Sequence, residues 1–176
     1  MINQKLKSKQ LIQAAFYDLL KKKDFESISI KEICEAAGVS RMSFYRYYST
    51  KEDVFVVIFD ETFDRFFQKI SHDPSLSIKD MLLIFFNGLY HSHDQIDILK
   101  KAQKESILLG QFEQYASYIG SKMNLSLMRD GFITPFSTPF FAGGLFNVVI
   151  RWSNRNYQET PEEMTEVVMH LFNLNN

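Results

Sequence analysis

The chain has 176 residues, 45% of them apolar, and a formal net charge of −1 at pH 7. This length accommodates one or two small domains with a buried core, and this apolar content excludes a disordered protein. The sequence contains neither an apolar run long enough to span a membrane nor an N-terminal signal segment, so we expect a cytoplasmic protein with no membrane partner. Its single cysteine, Cys34, excludes a disulfide within the chain and is expected to be a buried apolar residue.

The charge of the chain is divided unevenly between its two parts. Residues 1–53 hold ten Lys and Arg against seven Asp and Glu, a balance of +3, whereas residues 54–176 hold ten against fourteen, a balance of −4. A positive N-terminal part is the distribution that favours a nucleic-acid ligand. DNA contacts are therefore expected in the first third of the chain.

The first predicted element is a helix over residues 5–23. Apolar residues recur there at the 3.6-residue period of a helix, and lysines and glutamines occupy the opposite face. The apolar stripe consists of Leu11, Ile12, Ala15, Phe16, Leu19 and Leu20. Lysines at residues 21–23 end this helix, where positive charge interacts favourably with the helix dipole. We expect this helix to support the two that follow.

Two short helices separated by a tight turn are predicted next. Ser29, followed three positions later by a glutamate, forms a capping box that starts a helix over residues 30–37. Gly38 tolerates the positive φ at which that helix can end. Ser40 is a suitable cap for a second helix over residues 41–48. Two short helices joined by a glycine-containing turn are typical of a helix-turn-helix.

The second helix of this pair carries basic and hydroxyl side chains and no acid, as a DNA-reading surface requires. Arg41 and Ser43 are expected to face base edges, and Met42 offers an apolar contact such as one with a thymine methyl group. Phosphate contacts are expected from Ser29, Ser40, Tyr45, Arg46, Tyr47 and Lys51. Lys51 in the first turn of the next helix opposes the helix dipole, which favours a functional over a purely stabilising role.

The run IKEICEAAGVSRMSFYRYYSTKEDVF resembles the DNA-binding signature of the TetR (tetracycline-repressor) family of bacterial transcription regulators. The resemblance covers about residues 8–58 and rests on the Ala-Gly-Val-Ser turn, the aromatic second helix and the Thr-Lys-Glu-Asp step. It implies a homodimer that binds double-stranded operator DNA and that dimerises through its last two helices. Met42 and Arg46 depart from the residues that many members carry, so no operator sequence is carried over.

The rest of the chain reads as further helices without any strand pattern. Their predicted ranges are 50–71, 78–90, 94–129 in two pieces divided near Gly110, 138–154, and from 161 onwards. The predicted fold class is all-α, with an N-terminal three-helix helix-turn-helix head at residues 1–50. A larger helical ligand-binding and dimerisation domain is predicted at residues 51–176.

The last two predicted helices are expected to pair with their copies in a dimer, because a palindromic operator requires a two-fold protein. Close approach of another helix is also the expected reason for a Gly-Gly pair inside the first of them. The predicted dimer residues are Phe141, Gly144, Val148, Trp152, Met164, Val168 and Leu171.

The second domain is rich in phenylalanine, with fourteen of the chain's 17 lying after residue 53. These rings either fill the core or line a cavity for a small apolar ligand, and the sequence leaves both open. The predicted ligand-binding residues are Phe59, Phe63, Phe66, Phe86, Tyr90, His93, Phe112 and Tyr115. No cofactor and no metal is expected, since the spacing of His91 and His93 does not put both imidazoles on one helix face.

These features predict a dimeric DNA-binding transcription regulator, taken as a repressor, whose operator affinity is modulated by a small apolar ligand. The alternative is a co-regulator of the same fold whose larger domain binds a protein partner. An enzyme is not expected, because the sequence shows no Ser–His–Asp arrangement, phosphate-binding glycine loop or zinc-ligand spacing.

Overall fold

The computed structural model describes residues 2–73, 75–123 and 134–172. Within these ranges the chain forms α-helices and one short 3-10 turn, with no strand, which confirms the all-α class. The helices are α1 (Ile2–Lys22), α2 (Ile30–Ala37), α3 (Arg41–Tyr45), α4 (Lys51–Ser71), α5 (Ile78–His91), α6 (His93–Lys101), α7 (Ser106–Met123), α8 (Thr134–Asn154) and α9 (Pro161–Leu171). No helix in the described part of the chain combines the length and apolar character needed to cross a membrane.

The helices form two compact units. The first comprises Met1–Glu61 and Ile98–Lys104, and the second comprises Thr62–Asp97 and Glu105–Asn176. The first unit therefore takes in the start of α4 and the end of α6. The sequence predicts a different boundary, at residue 50, between a DNA-binding and a ligand-binding domain. This functional division stays a prediction.

The core of the first unit is built on aromatic rings contributed by α1, the 3-10 turn and α4. Phe16 and Phe55 meet edge to face with ring centroids 5.1 Å apart, and Phe25 lies 5.6 Å from Phe55. All three rings are at most 3% exposed. Ile12 of α1 and Ile33 of α2 are fully buried in the same unit. Burial of this apolar surface holds the three N-terminal helices together.

The capping chemistry predicted for α2 is present in full. The Glu32 amide donates to Ser29 Oγ at 3.2 Å, and the Ser29 amide donates to Glu32 Oε2 at 3.0 Å. At the other end Gly38 adopts a left-handed φ of 64°, which a residue with a side chain rarely adopts. These two local features set the length of α2 and the turn that leads into α3.

The core of the second unit is an aromatic cluster, defined by five side chains of α4, α5 and α7. Its members are Phe63, Phe85, Phe86, Phe112 and Tyr115, all at most 4% exposed. Phe85 stacks on Tyr115 with centroids 4.9 Å apart and meets Phe112 edge to face at 5.3 Å. Trp152 of α8 extends the cluster by an edge-to-face contact with Phe86 at 5.6 Å.

Two helix boundaries differ from the sequence prediction. The predicted break near Gly110 is wrong, because α7 runs through this glycine and the break lies between α6 and α7. There Gln103 takes a left-handed φ of 54°, while the Gln103 amide donates to Lys100 O and the Lys104 amide to Leu99 O. This pair of hydrogen bonds ends α6 without a glycine.

The second difference concerns α8, which begins at Thr134 and not at residue 138. Pro135 lies in the first turn, where a missing N–H costs nothing. The helix continues through Pro139 at the expense of one backbone hydrogen bond.

Candidate nucleic-acid interface

Helix α3 presents an outward face of basic and apolar side chains. Arg41, Met42, Tyr45 and Arg46 are exposed, and Met42 is exposed to 77%. The helix is held from the other side by Phe44, which is fully buried and lies 5.5 Å from the ring of the buried Tyr48. An exposed methionine on a helix with a buried anchor has no packing role of its own, so this face is available to a partner.

The end of α3 comes earlier than predicted. The helix ends at Tyr45, and the chain continues in a tighter turn in which the Tyr47 amide donates to Phe44 O at 2.9 Å. The backbone of Arg46 is still helical, with φ −70° and ψ −26°. Arg46 therefore stays exposed beyond the last turn of α3, while Tyr47 is half-buried.

The cations of α2 and α3 differ in their partners. Lys23, directly after α1, pairs with Glu32 of α2 at 2.5 Å, and Lys31 of α2 pairs with Glu35 at 3.7 Å. Among the described residues, no carboxylate lies within ion-pair distance of the guanidinium of Arg41 or Arg46. The two arginines without a carboxylate partner among the described residues therefore lie at the start of α3 and directly after its end, which suits an interface for phosphates.

The predicted serine contacts have local partners. Ser40 Oγ accepts the Ser43 amide at 3.1 Å and lies 3.0 Å from Ser43 Oγ, so the two hydroxyls form a pair at the exposed start of α3. Ser29 Oγ accepts the Glu32 amide and donates to Glu32 Oε2 at 3.1 Å. The Ser29 hydroxyl thus donates to Glu32 of the helix that it caps. The Ser40–Ser43 pair is better placed for a DNA contact.

The ammonium group of Lys51 is hydrogen-bonded to backbone carbonyl oxygens of the same unit. Its Nζ donates to the carbonyl oxygens of Phe25 at 2.7 Å and Ile28 at 3.0 Å, with Glu26 O at 3.4 Å, and lies 4.2 Å from the centroid of the Phe25 ring. An ammonium group has three donors, and these carbonyls occupy them. Lys51 therefore fastens the start of α4 to the 3-10 turn at Phe25–Ser27, and its predicted phosphate contact stays a prediction that would require these hydrogen bonds to break.

The predicted ligand-binding residues are divided by the structure. Phe63, Phe86, Phe112 and Tyr115 belong to the aromatic cluster, where their rings contact one another and leave at most 4% of each exposed. The Tyr115 hydroxyl donates to Met81 O at 3.2 Å. Burial raises the pKa of this phenol well above its ordinary value, so it stays protonated. These four side chains are therefore packed against one another, and their contact with an apolar ligand stays a prediction.

The remaining ligand-site predictions lie elsewhere. Tyr90 is 42% exposed, and His93 is exposed at the start of α6 with its ring 5.4 Å from that of Tyr157. Tyr90 stacks on Trp152 with ring centroids 6.1 Å apart, so Tyr90 and His93 lie at the exposed edge of the cluster near the α8–α9 connection. The side chains of Phe59 and Phe66 lie outside the described part of the chain.

The predicted dimer residues also separate into two groups. Trp152, Met164 and Val168 are at most 5% exposed within a single chain, and Trp152 Nε1 donates to Glu159 O at 2.9 Å. Phe141 and Gly144 lie against Phe172 of their own chain, and their contact with a second copy stays a prediction. The Phe141 ring centroid lies 4.9 Å from that of Phe172, and a Cβ on Gly144 would come within 2.8 Å of its Cζ.

An apolar surface nevertheless remains on α8 and α9. Leu171 is 62% exposed and Val148 is half-buried, and together with Val167 they line an open groove of about 290 Å³ between the two helices. Phe136 and Phe140, which the sequence did not single out, are exposed to 69% and 70%. Their four-residue spacing on one helix face was the signal that could have identified them.

The chain resembles known proteins both in sequence and in fold. Residues 11–58 match the family model described as bacterial regulatory proteins, tetR family. The chain is 34% identical over 89 residues to the HTH-type transcriptional regulator EthR of Mycolicibacterium smegmatis, which covers 47% of this chain and 41% of the relative. The chain therefore spans less than half the length of this curated relative.

Solved structures extend the likeness along nearly the whole chain. Lin0861 from Listeria innocua matches with a TM-score of 0.76 and 20% identity, over 95% of this chain and 92% of that chain. The fatty acid degradation regulator FadR from Bacillus halodurans matches with a TM-score of 0.60 and 19% identity, over 92% of this chain and 96% of that chain. At these identities the likeness shows the fold alone.

Proposed function

We propose that this chain, which belongs to the TetR family of bacterial regulatory proteins by its residues 11–58, is a transcription regulator that binds double-stranded operator DNA. The observation that carries the proposal is the outward face of α3, where Arg41 and Arg46 have no carboxylate partner among the described residues and Met42 is exposed to 77%. Chromosomal DNA as the target also implies a cytoplasmic location.

The chemistry of this face suits the major groove. Arg41 at the first position of α3 can fork onto the O6 and N7 atoms of a guanine, a contact worth about 1–3 kcal/mol of base discrimination. Met42 can contact a thymine methyl group. Arg46 and Tyr45 flank these two and are suited to phosphate oxygens, which orient the helix without reading sequence.

A homodimer is part of the proposal. A helix-turn-helix reads one half-site, so two copies related by a two-fold axis are needed for a palindromic operator. The exposed apolar residues of α8 and α9 support self-association, because an isolated chain would leave Phe136, Phe140 and Leu171 in water. Repression as the outcome of binding remains part of the proposal.

The experiment is a binding titration of the purified protein with the DNA upstream of its own gene, across a salt series. We expect the wild type to bind its preferred site selectively. Arg41→Ala should weaken binding to the preferred site more than binding to other DNA. Arg46→Ala should weaken binding to all DNA sequences alike. Each variant should lower the affinity by about tenfold or more, given the energies of such contacts. Lys79→Ala on α5, an exposed lysine paired with Glu166, is the matched control and should change nothing.

Base reading by α3 would be contradicted if the wild type bound the upstream DNA and unrelated DNA equally well, or if Arg41→Ala weakened binding to both by the same factor. We also propose that a small apolar ligand modulates the affinity for operator DNA, which requires room for that ligand in the second unit. Such a ligand could enter the aromatic cluster only by displacing rings that are now in mutual contact.

A further inference from the structure

An open groove of about 510 Å³ lies between the second half of α4 and α5, within the second unit. It is lined by Arg65, Lys69, Ile84, Asn87, Gly88, His91 and Ser92. This volume lies in the range that small-molecule sites occupy, about 300–1,000 Å³. The groove is separate from the aromatic cluster in which the sequence predicts a ligand, since the two sets of residues do not overlap.

The charged side chains of this groove are all basic among the described lining residues. Arg65 and Lys69 are four residues apart on α4 and therefore lie one turn apart on the same face. A guanidinium can fork onto two oxygens of a carboxylate or phosphate, and an ammonium adds a point charge beside it. This pair gives the α4 side of the groove the chemistry of an oxyanion site.

His91 on the α5 side is held in a defined orientation. Its Nδ1 lies 2.7 Å from the carbonyl oxygen of Asn87 and must donate to it, since a carbonyl oxygen can only accept. This leaves Nε2 as the ring nitrogen for other partners, and Nε2 is a donor when the ring is protonated. The Asn87 side chain is also oriented, because its Nδ2 donates to Leu83 O at 3.0 Å.

Gly88 exposes the backbone of α5 to the groove. Among the described residues, a Cβ built on Gly88 would have no heavy atom within 4 Å, so a ligand has room to approach the helix backbone at this point. Ile84, one turn earlier, provides an apolar surface beside it.

We propose that this groove binds a small organic oxyanion, with its carboxylate or phosphate group on Arg65 and Lys69 and its apolar body over Gly88 and Ile84. A carboxylate and a phosphate both carry negative charge on oxygens that a guanidinium and an ammonium group can bind. The assignment goes beyond DNA binding and does not depend on it, because the groove is defined on the protein alone.

The test is isothermal titration calorimetry of the full chain, without DNA, with four probes that share a ring and differ in charge. Phenyl phosphate and benzoate are the two oxyanions, and benzyl alcohol and benzylamine are the neutral and cationic controls. We expect saturable binding of at least one oxyanion, at least tenfold tighter than that of either control. The tighter of the two oxyanions identifies the preferred head group.

Two variants locate the binding. Gly88→Leu places a side chain in the groove at no cost in helix propensity, and Lys69→Gln removes one charge while keeping a flexible polar side chain. We expect each to weaken oxyanion binding at least tenfold with thermal unfolding unchanged or raised. Lys79→Gln, on α5 but outside the groove, should bind like the wild type. Failure of both oxyanions to bind, or binding that neither Gly88→Leu nor Lys69→Gln weakens, would overturn the proposal and leave the DNA-binding assay unaffected.

Discussion

At the scale of single residues, lysines and arginines of the first unit differ in what their charge contacts. The Lys51 ammonium donates to carbonyls of Phe25 and Ile28, and the Phe25 ring also has the Lys104 Nζ 4.9 Å from its centroid. Arg41 and Arg46 have no such partner among the described residues. A cation whose donors are already used cannot neutralise a phosphate without first losing those hydrogen bonds.

We therefore predict that Lys51→Met lowers the stability of the protein and leaves the salt dependence of DNA binding unchanged. Loss of hydrogen bonds from a charged donor should cost about 1.5–3 kcal/mol in the free energy of unfolding, measured by urea denaturation. Arg46→Met is the matched variant and should leave stability within about 0.5 kcal/mol. It should also flatten the slope of log K against log salt by about one unit. A flatter slope in the Lys51 variant would restore its phosphate role.

At the scale of elements, short-range polar contacts define where the helices begin. Capping boxes with the same two reciprocal hydrogen bonds start α2 at Ser29, α5 at Ser77 and α9 at Thr160. In the α2 box the carboxylate of Glu32 has a further partner, the ammonium of Lys23 at 2.5 Å. This box positions the helix that precedes α3, so its charge state bears on the DNA-binding head.

The Glu32 carboxyl should titrate at unusually low pH. Its hydrogen bond from Lys23, followed by those from Ser29, lowers its pKa from 4.5 to about 2. A depressed folded-state pKa means that this carboxylate stabilises the fold fully above about pH 4.5 and loses its contribution as pH falls towards 2. An NMR titration of the Glu32 side-chain carbon should show a midpoint near 2, moving upwards in Lys23→Met. A wild-type midpoint near 4.5 would contradict the paired geometry.

The two adjacent glycines of α8 differ in their surroundings. A Cβ on Gly143 would meet nothing within 4 Å, whereas one on Gly144 would come within 2.8 Å of Phe172 Cζ and 3.3 Å of its Cε1. Only Gly144 is thus required by packing between α8 and the end of α9. The neighbouring glycine carries the helix-propensity cost without this compensation.

We predict that Gly143→Ala raises the free energy of unfolding by up to about 1 kcal/mol. Gly144→Ala should gain less or destabilise, because the ring of Phe172 must move to admit the new methyl group. Thermal and urea unfolding of both variants would measure the difference. In a Phe172→Ala background the two substitutions should become equivalent. Equal effects in the wild-type background would contradict the contact.

At the scale of the whole molecule, the exposed apolar surface of α8 and α9 is the feature that leads us to expect self-association. Phe136, Phe140, Val167 and Leu171 are exposed to between 42% and 70%. Large apolar side chains clustered on two neighbouring helices favour burial against a partner. A second copy would cover this surface and, under the proposed function, would also supply the second head that a palindromic operator requires.

The wild-type protein should therefore behave as a dimer, with twice the 20.7 kDa mass of one chain, in light scattering at micromolar concentration. A Phe140→Glu and Leu171→Glu double variant should give the monomer mass, because it buries two charges in the interface. Leu11→Glu, at a residue of the first unit that is 41% exposed, is the control and should remain dimeric. A monomeric wild type would refute the dimer, whatever the DNA-binding result.

Features that depend on neighbouring residues could be predicted from the sequence. The all-α class, the capping box of α2 and the glycine turn at Gly38 were all predicted correctly. Each arises from hydrogen bonds or backbone torsions spanning three or four residues, which the order of residue types specifies directly. The exposed residues of α3 and its end, Arg41, Met42, Tyr45 and Arg46, likewise lie within six positions of the sequence, and their role in DNA binding stays a prediction.

Only the tertiary structure decided which partner each long or apolar side chain meets. Lys51 finds carbonyls more than twenty residues earlier, and Gly144 is covered by Phe172 of its own chain. An amphipathic stripe looks the same whether it faces a core, a cavity or a second protein, because helical periodicity marks only that a face is apolar. The packing of the aromatic cluster and the open basic groove beside it therefore depend on contacts between helices distant in sequence.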